Sequence, residues 1–427
     1  MNTMEQAKRI VIVGGGFAGL NVARKLHKKG FEVYLVDKNN YHQFQPLFYQ
    51  VATAGLEPAN IVFPLRKAFH NFKDFHIRMA ELVEIKPSEN KIVTTENELT
   101  YDYLVIATGV TTNFFGNNQV EENAIPMKSV SEALYMRNRI LQNLEDAYYA
   151  DKDERERLRN VVIVGGGPTG VEVSGAIADM RKYVLSKDYP ELDFSLMKIF
   201  LIEGSPVLLA AMSKRSQKKS QAFLEKMGVN VLTNTVVKEY DGKTALLSNG
   251  KTIPTNTLIW GAGVAAKKIN GLPDNVLQKG NRIIVNRYNQ VQGFQNIFAL
   301  GDIAYMTEEK YPNGHPQVAS VAIAQGKLLA ENFVRLVQNK PLVPFKYKDK
   351  GSMATIGRKK AVVDLPYWKF QGAFAWHTWN LVHLFSILGV KNKLSIFFNW
   401  AWNYFSPNPN LRVLIKPFIK KDKQFFN

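Results

Sequence analysis

The sequence predicts an α/β chain of two nested Rossmann-like dinucleotide-binding domains followed by a C-terminal membrane-associating segment. Two glycine turns of one design, and a charge-free aromatic stretch near the C-terminus, carry that expectation. The turns read Val11-Ile-Val-Gly-Gly-Gly-Phe-Ala-Gly19 and Val161-Val-Ile-Val-Gly-Gly-Gly-Pro-Thr-Gly170. Each puts glycine where such a fold needs it: Gly14, Gly16 and Gly19, then Gly165, Gly167 and Gly170. The first permits a tight strand-to-helix turn, the second lets backbone approach a pyrophosphate, and the third lets helix pack on sheet. An apolar β-branched strand precedes each turn and a helical pattern follows it, so each pyrophosphate would sit at a helix N-terminus.

Each copy also has an acid at the end of its next strand. Asp37 closes the run from Phe31 at close to the spacing expected for a ribose-binding carboxylate. Glu203 closes the run from Lys198 after a longer interval, whose surplus between Met180 and Leu196 predicts a longer helix and loop. Residues 99–109 read as one buried strand ending in Ala-Thr-Gly, where the chain returns to the first fold. Residues 257–263 are the matching return in the second, and 296–302 lead back to the first, directing Asp302 at its cofactor or, on the blander reading, at capping the next segment. The expected boundaries are 1–115 with 271–345, 116–270, and 346–427. The charged run 151–159 reads as a solvated face.

At 427 residues the chain is long enough for two or three domains. It has no cysteine, which excludes disulfides, thiolate metal sites and any redox-active cysteine pair. Disulfide reductases and persulfide-forming sulfide oxidoreductases are excluded with them. The first turn begins almost at once, and the residues before it lack an apolar core, so no signal peptide is expected. No metal spacing, serine elbow or repeat is present.

The net charge of +18 calls for an acidic partner, and its position narrows the choice. Residues 370–390 hold no Asp, Glu, Lys or Arg in 21 positions but carry Phe374, Trp376, Trp379 and Phe385. Lys391 and Lys393 follow, then a second aromatic stretch. The tail after Val390 has seven Lys and Arg against one acid, Asp422. Length permits a spanning helix, but Gln371, His377, Asn380 and His383 would be costly in hydrocarbon. Helices lying in the interface of an anionic membrane fit better. The alternative is an apolar layer buried in a homodimer or against the core. A nucleic-acid groove is disfavoured because the aromatics are not interleaved with basic residues.

These residues in this order resemble the type II NADH:quinone oxidoreductases over nearly the whole chain. More specific matches are Tyr41-His-Gln-Phe-Gln-Pro-Leu-Phe-Tyr-Gln-Val-Ala52, the second turn through Glu172, and Gly351-Ser-Met-Ala-Thr-Ile-Gly-Arg358. The resemblance implies non-covalent FAD on the first fold, held by Gly14, Gly15, Gly16, Phe17, Ala18 and Gly19, with Asp37 at its adenosine ribose and Lys38 among its binding residues. Thr108, Gly109, Asp302, Ala319 and Ser320 would complete that site. NADH would lie over Gly165, Gly167, Pro168, Thr169 and Gly170, with Glu203 at its ribose and Gly261, Ala262 and Gly263 lining it. A carboxylate there favours NADH over NADPH, because it would repel a 2′-phosphate.

The same resemblance makes Glu172 the catalytic residue, read as lying within the first helical turn after the glycines. Its blander reading is a carboxylate stabilised by the helix N-terminus. A membrane quinone would meet Pro46, Tyr49, Ala324 and Gln325. The implied reaction is oxidation of NADH with two-electron quinone reduction and no proton pumping, in a respiratory chain, by a monotopic protein on the cytoplasmic face. One departure stands out: the family's Ala-Gln-x-Ala-x-Gln-Gln before a glycine is Ala319-Ser-Val-Ala-Ile-Ala-Gln325 here, so Ser320 and Ala324 replace two glutamines. A soluble flavoprotein reductase serving a small redox protein is the rival enzyme, and a nucleic-acid-docking protein with a structural flavin is the non-enzyme rival.

Overall fold

The computed structural model describes residues 7–406 and 411–414, so most of the basic tail, Asp422 included, lies outside the described residues. By its contacts the chain divides into two compact units. One comprises Met1–Phe44, Val62–Phe115 and Gly263–Gly351, and the other Gln45–Ile61, Gly116–Ala262 and Ser352–Asn427. Residues 45–61, which the sequence groups with the first fold, cluster with the second. The return to the first comes at Gly263 rather than 271, and the C-terminal segment belongs to the second unit.

The first unit is built on a parallel sheet ordered Ile297–Ala299, Tyr103–Ile106, Lys8–Val13, Phe31–Asp37, Phe75–Met79. Val11, Ile12, Leu35 and Val105 are fully buried, as strands covered on both faces require. Residues 99–109 are not one strand. Glu98–Thr100 belongs to a separate antiparallel meander, and the chain turns at Asp102, whose carboxylate accepts the Arg9 N–H at 2.7 Å. Helix Ala319–Val337 lies against helix Phe17–Leu26 so closely that a Cβ on Gly326 would stand 2.5 Å from the Ala18 carbonyl oxygen.

The second unit repeats the plan: Ile125–Pro126, Thr257–Trp260, Val161–Val164, Ile199–Ile202, Val229–Leu232, all parallel. The surplus before Glu203 is a longer helix and a loop, as the spacing predicts. Helix Pro168–Met180 continues through a wider, π-type turn at Arg181–Leu185 and ends at Asp188. The run 151–159 is a helix, Lys152–Arg159, capped by Asp151; it is exposed only through Glu154, and Leu158 and Arg159 at its end are buried.

The C-terminal part is an antiparallel sheet, Ser352–Thr355, Ala361–Asp364 and Lys369–Gln371, followed by helices Ala373–Ser386 and Val390–Phe405. Asp364 joins it to helix Lys214–Lys226, accepting the Ser213 N–H at 2.6 Å and the Ser216 hydroxyl at 2.7 Å. The charge-free stretch is broken at residues 387–389, where Gly389 takes φ +82°. No helix among the described residues is long and apolar enough to cross a membrane. Trp379 and Ile396 are buried, whereas Phe374, Leu381, Phe385, Leu394, Phe398, Trp402 and Phe405 are exposed. At these spacings each helix turns one apolar side to the core and another outward.

Candidate active site

Both glycine turns are built by the same contacts. Gly14 and Gly165 take φ +106° and +107°, and a Cβ would stand 2.3 Å from the Ala107 carbonyl oxygen or 2.8 Å from Ala262 N. At Gly16 and Gly167 φ is negative and a Cβ would meet nothing within 4 Å. Protein packing therefore does not require glycine there, but a pyrophosphate drawn against the backbone would. Neither helix has a side-chain cap or an acid in its first turn, so the N-terminal N–H groups are left to an anion. Gly19 and Gly170 sit against the carbonyls of Gly14 and Gly165.

The acids are tied to the turns in the same way twice. Asp37 accepts the Gly15 N–H at 2.6 Å and the Asn39 N–H at 2.7 Å. Glu203 accepts the Gly166 N–H at 2.5 Å and the Ser205 N–H at 2.6 Å. Each carboxylate oxygen keeps a second lone pair, so the device fixes the acid and leaves acceptors for ribose hydroxyls. Burial pushes the Asp37 carboxyl up, against these two hydrogen bonds. Gly166 was not singled out by its motif position, yet a Cβ there would stand 2.7 Å from Leu208 and 2.9 Å from Glu203.

In the first unit the turn is backed by His42, whose Nδ1 meets the Gly15 carbonyl at 2.9 Å, and by Phe17, edge-on to both His42 and Phe44. Burial lowers the His42 pKa and keeps the ring neutral. Ala18 is buried, while Lys38 and Thr108 are exposed and Gly109 is half-buried. Asp302 lies in the turn Gly301–Ile303, and its carbonyl accepts from Gln317 at 3.0 Å. Gln325 is 1 % exposed and its amide oxygen takes the Gly301 N–H at 2.8 Å. That oxygen holds the Asp302 turn. Ser320, beside Ala319 at the helix start, meets the Tyr347 hydroxyl at 3.1 Å, and Ala324 packs on the core. Gly263 opens the last segment of this unit, against Phe115.

In the second unit Pro168 and Thr169 are exposed at the helix start, Gly170 is buried, and Gly261 and Ala262 pass behind Gly165. Glu172 is the fifth residue of helix Pro168–Met180, past its first turn. The expectation of a first-turn position is therefore corrected, and with it the N-terminal stabilisation, which fades beyond that turn. Glu172, Gly175 and Asp179 share one face along residues 355–358. The Thr355 N–H reaches Glu172 Oε1 at 3.3 Å and the Arg358 N–H reaches Asp179 at 2.5 Å; a Cβ on Gly175 would stand 2.7 Å from Ile356. Burial pushes the Glu172 carboxyl up to about 8. Asp179 is raised by the same cause.

A hydroxyl cluster adjoins Glu172. Thr355 Oγ1 and Gln50 Nε2 reach the Tyr49 hydroxyl at 3.0 and 2.8 Å, and Trp400 Nε1 reaches Gln50 Oε1 at 2.8 Å. Pro46 lies half-buried in the turn leading to Tyr49. His42, Gln50 and Thr355 were missed as individuals, although all three lie in the stretches that carry the resemblance.

The pyridine nucleotide-disulphide oxidoreductase family matches residues 8–326, and the NDH2 C-terminal domain matches residues 350–406. The type II NADH:quinone oxidoreductase Ndh of Mycobacterium tuberculosis is 32% identical over 93% of this chain and 88% of its own length. The chain belongs to the type II NADH:quinone oxidoreductases. The type II NADH:quinone oxidoreductase of Haemophilus influenzae is 30% identical over 84% of this chain and 87% of its own. Among solved structures, NDH2 from Plasmodium falciparum in complex with NADH superposes with a TM-score of 0.88 at 23% identity, covering 96% of this chain and all of that one. The sulfide:quinone oxidoreductase of Aquifex aeolicus gives 0.71 at 20% identity, covering 97% and 98%. These two show the fold alone. A type II NADH:quinone oxidoreductase without cysteine cannot perform the disulfide chemistry in the broader family's name.

Proposed function

We propose that this chain holds FAD without a covalent bond on its first glycine turn, oxidises NADH held on the second, and reduces a membrane quinone by two electrons without pumping protons. The observation that carries this reading is the duplicated turn. Two helix N-termini without caps, two open glycine positions and two carboxylates fixed to the turn backbone suit two dinucleotides.

Bound FAD would supply the two-electron chemistry. The protein's share is positioning and charge. Asp37 and Glu203 would hold the two riboses, and Glu203 would reject a 2′-phosphate. Glu172, kept protonated at neutral pH by burial, would present a neutral carboxyl to its surroundings, donating rather than repelling. The exposed aromatic sides of the last two helices, with Lys391 and Lys393 at the start of the second, suit peripheral attachment to an anionic membrane at its cytoplasmic face.

The test is anaerobic. The purified chain should carry flavin absorbance that NADH bleaches and a short-chain quinone restores. Bleaching without restoration by quinone would favour a reductase serving a small redox protein. Absence of flavin would defeat both readings.

A further inference from the structure

We infer that Tyr49 donates its hydroxyl hydrogen bond to the quinone carbonyl, and that Gln50, held by Trp400, is the positioning residue that leaves that hydrogen available. The inference deepens the proposed quinone reduction and rests on it. An indole N–H can only donate, so the Gln50 atom facing Trp400 Nε1 at 2.8 Å must be the amide oxygen. That contact fixes which way the amide lies. Its nitrogen then faces Tyr49, where it can only donate, at 2.8 Å. The Tyr49 oxygen also receives Thr355 Oγ1 at 3.0 Å. With both acceptor positions of the phenol filled, its one hydrogen is directed away from Gln50 and Thr355.

Three further observations fit a donor waiting for a carbonyl. Burial pushes the Tyr49 phenol far up, so it stays protonated. The Trp379 ring lies edge-on to Tyr49 at 6.1 Å, and its buried indole N–H has no acceptor among the described residues. An unsatisfied buried donor is rare enough to need an explanation. Trp400 belongs to the helix whose other side exposes Phe398, Trp402 and Phe405. The residue that orients the amide is thus carried by the segment that would meet the membrane. The role is a hydrogen bond, with no proton transferred.

The test uses the full-length flavin-loaded enzyme, reduced with NADH under anaerobic conditions and then mixed with menadione. Gln50→Glu puts a carboxylate where the amide nitrogen stood, and it would accept the phenol hydrogen. Reoxidation by menadione should fall about tenfold, and Tyr49→Phe should do the same, while flavin reduction by NADH stays within about twofold of wild type. In the Tyr49→Phe background, Gln50→Glu should have no further effect, whereas a merely structural role would add. Trp400→Phe, which frees the amide to turn over, should lower reoxidation by several-fold and serves if Gln50→Glu does not fold. Wild-type reoxidation in Gln50→Glu or in Trp400→Phe, or additive losses in the double variant, would overturn the inference alone. A wild-type enzyme whose reduced flavin menadione does not reoxidise would overturn the quinone reading and the inference with it.

Discussion

Glu172→Gln separates the electrostatic cost of the buried carboxyl from its packing. The glutamine keeps the shape and an acceptor for the Thr355 N–H, but it cannot ionise. In the unfolded chain Glu172 titrates near its usual 4.5, and in the folded chain near about 8. A carboxyl raised on folding binds its proton more tightly in the native state, so its contribution is fully present below pH 4.5 and is lost as pH rises to 8. The loss is about 1.4 kcal/mol per pH unit within that window, on the order of 3 kcal/mol between pH 4.5 and 7. Urea unfolding of both proteins from pH 4.5 to 9 should therefore show the variant gaining on wild type as pH rises, levelling off above 8. Other groups titrate alike in both and cancel in the difference. Midpoint curves that run parallel across the range would refute burial as the cause of the shift. Turnover of the same variant should fall with its flavin still bound; unaltered turnover would reduce Glu172 to a structural residue.

Glu203→Ala should raise the KM for NADH and narrow the preference over NADPH in steady-state assays, and an unchanged ratio would remove Glu203 from the ribose. Gly167→Ala meets no protein atom, so it should leave thermal stability within about 0.5 kcal/mol while weakening NADH binding by calorimetry. Gly165→Ala should instead destabilise the fold, because it combines φ +107° with a 2.8 Å approach to Ala262. Replacing exposed Phe385, Phe398 and Trp402 by serine should reduce sedimentation with anionic vesicles without lowering stability. That is a cleaner test than deleting residues 366–427, which would also remove buried Trp379 and Ile396. Sedimentation equal to wild type would place the membrane contact elsewhere.

The parts of the fold that depend on local pattern were legible in the sequence. The strand, glycine turn and helix of each unit, and the acid closing each second strand, follow from residue type and spacing, because backbone approach at Gly14 or Gly165 tolerates no side chain. What depended on distant partners was not legible. The break at Asp102 comes from a carboxylate reaching the Arg9 backbone. Gln50 shows its role only once Trp400, far along the chain, is beside it. Helical register moved Glu172 out of the first turn, a shift of a residue or two that pattern reading does not resolve. For the glutamines replaced at Ser320 and Ala324, the sequence showed the loss, and only the structure shows the hydroxyl of Tyr347 beside Ser320.

The duplicated carboxylate-and-turn device bears on how long each dinucleotide stays. A resident flavin on the first turn and an exchanging NADH on the second, as proposed above, would demand off-rates that differ by many orders of magnitude, yet the contacts of Asp37 with Gly15 and of Glu203 with Gly166 are nearly the same. On that reading the turn itself could not set residence time. The difference would have to come from what surrounds it: Phe17, edge-on to His42 and Phe44, follows the first turn, whereas exposed Pro168 and Thr169 follow the second. On the proposed reading, one duplicated cradle would serve as a permanent mounting in one unit and a revolving door in the other.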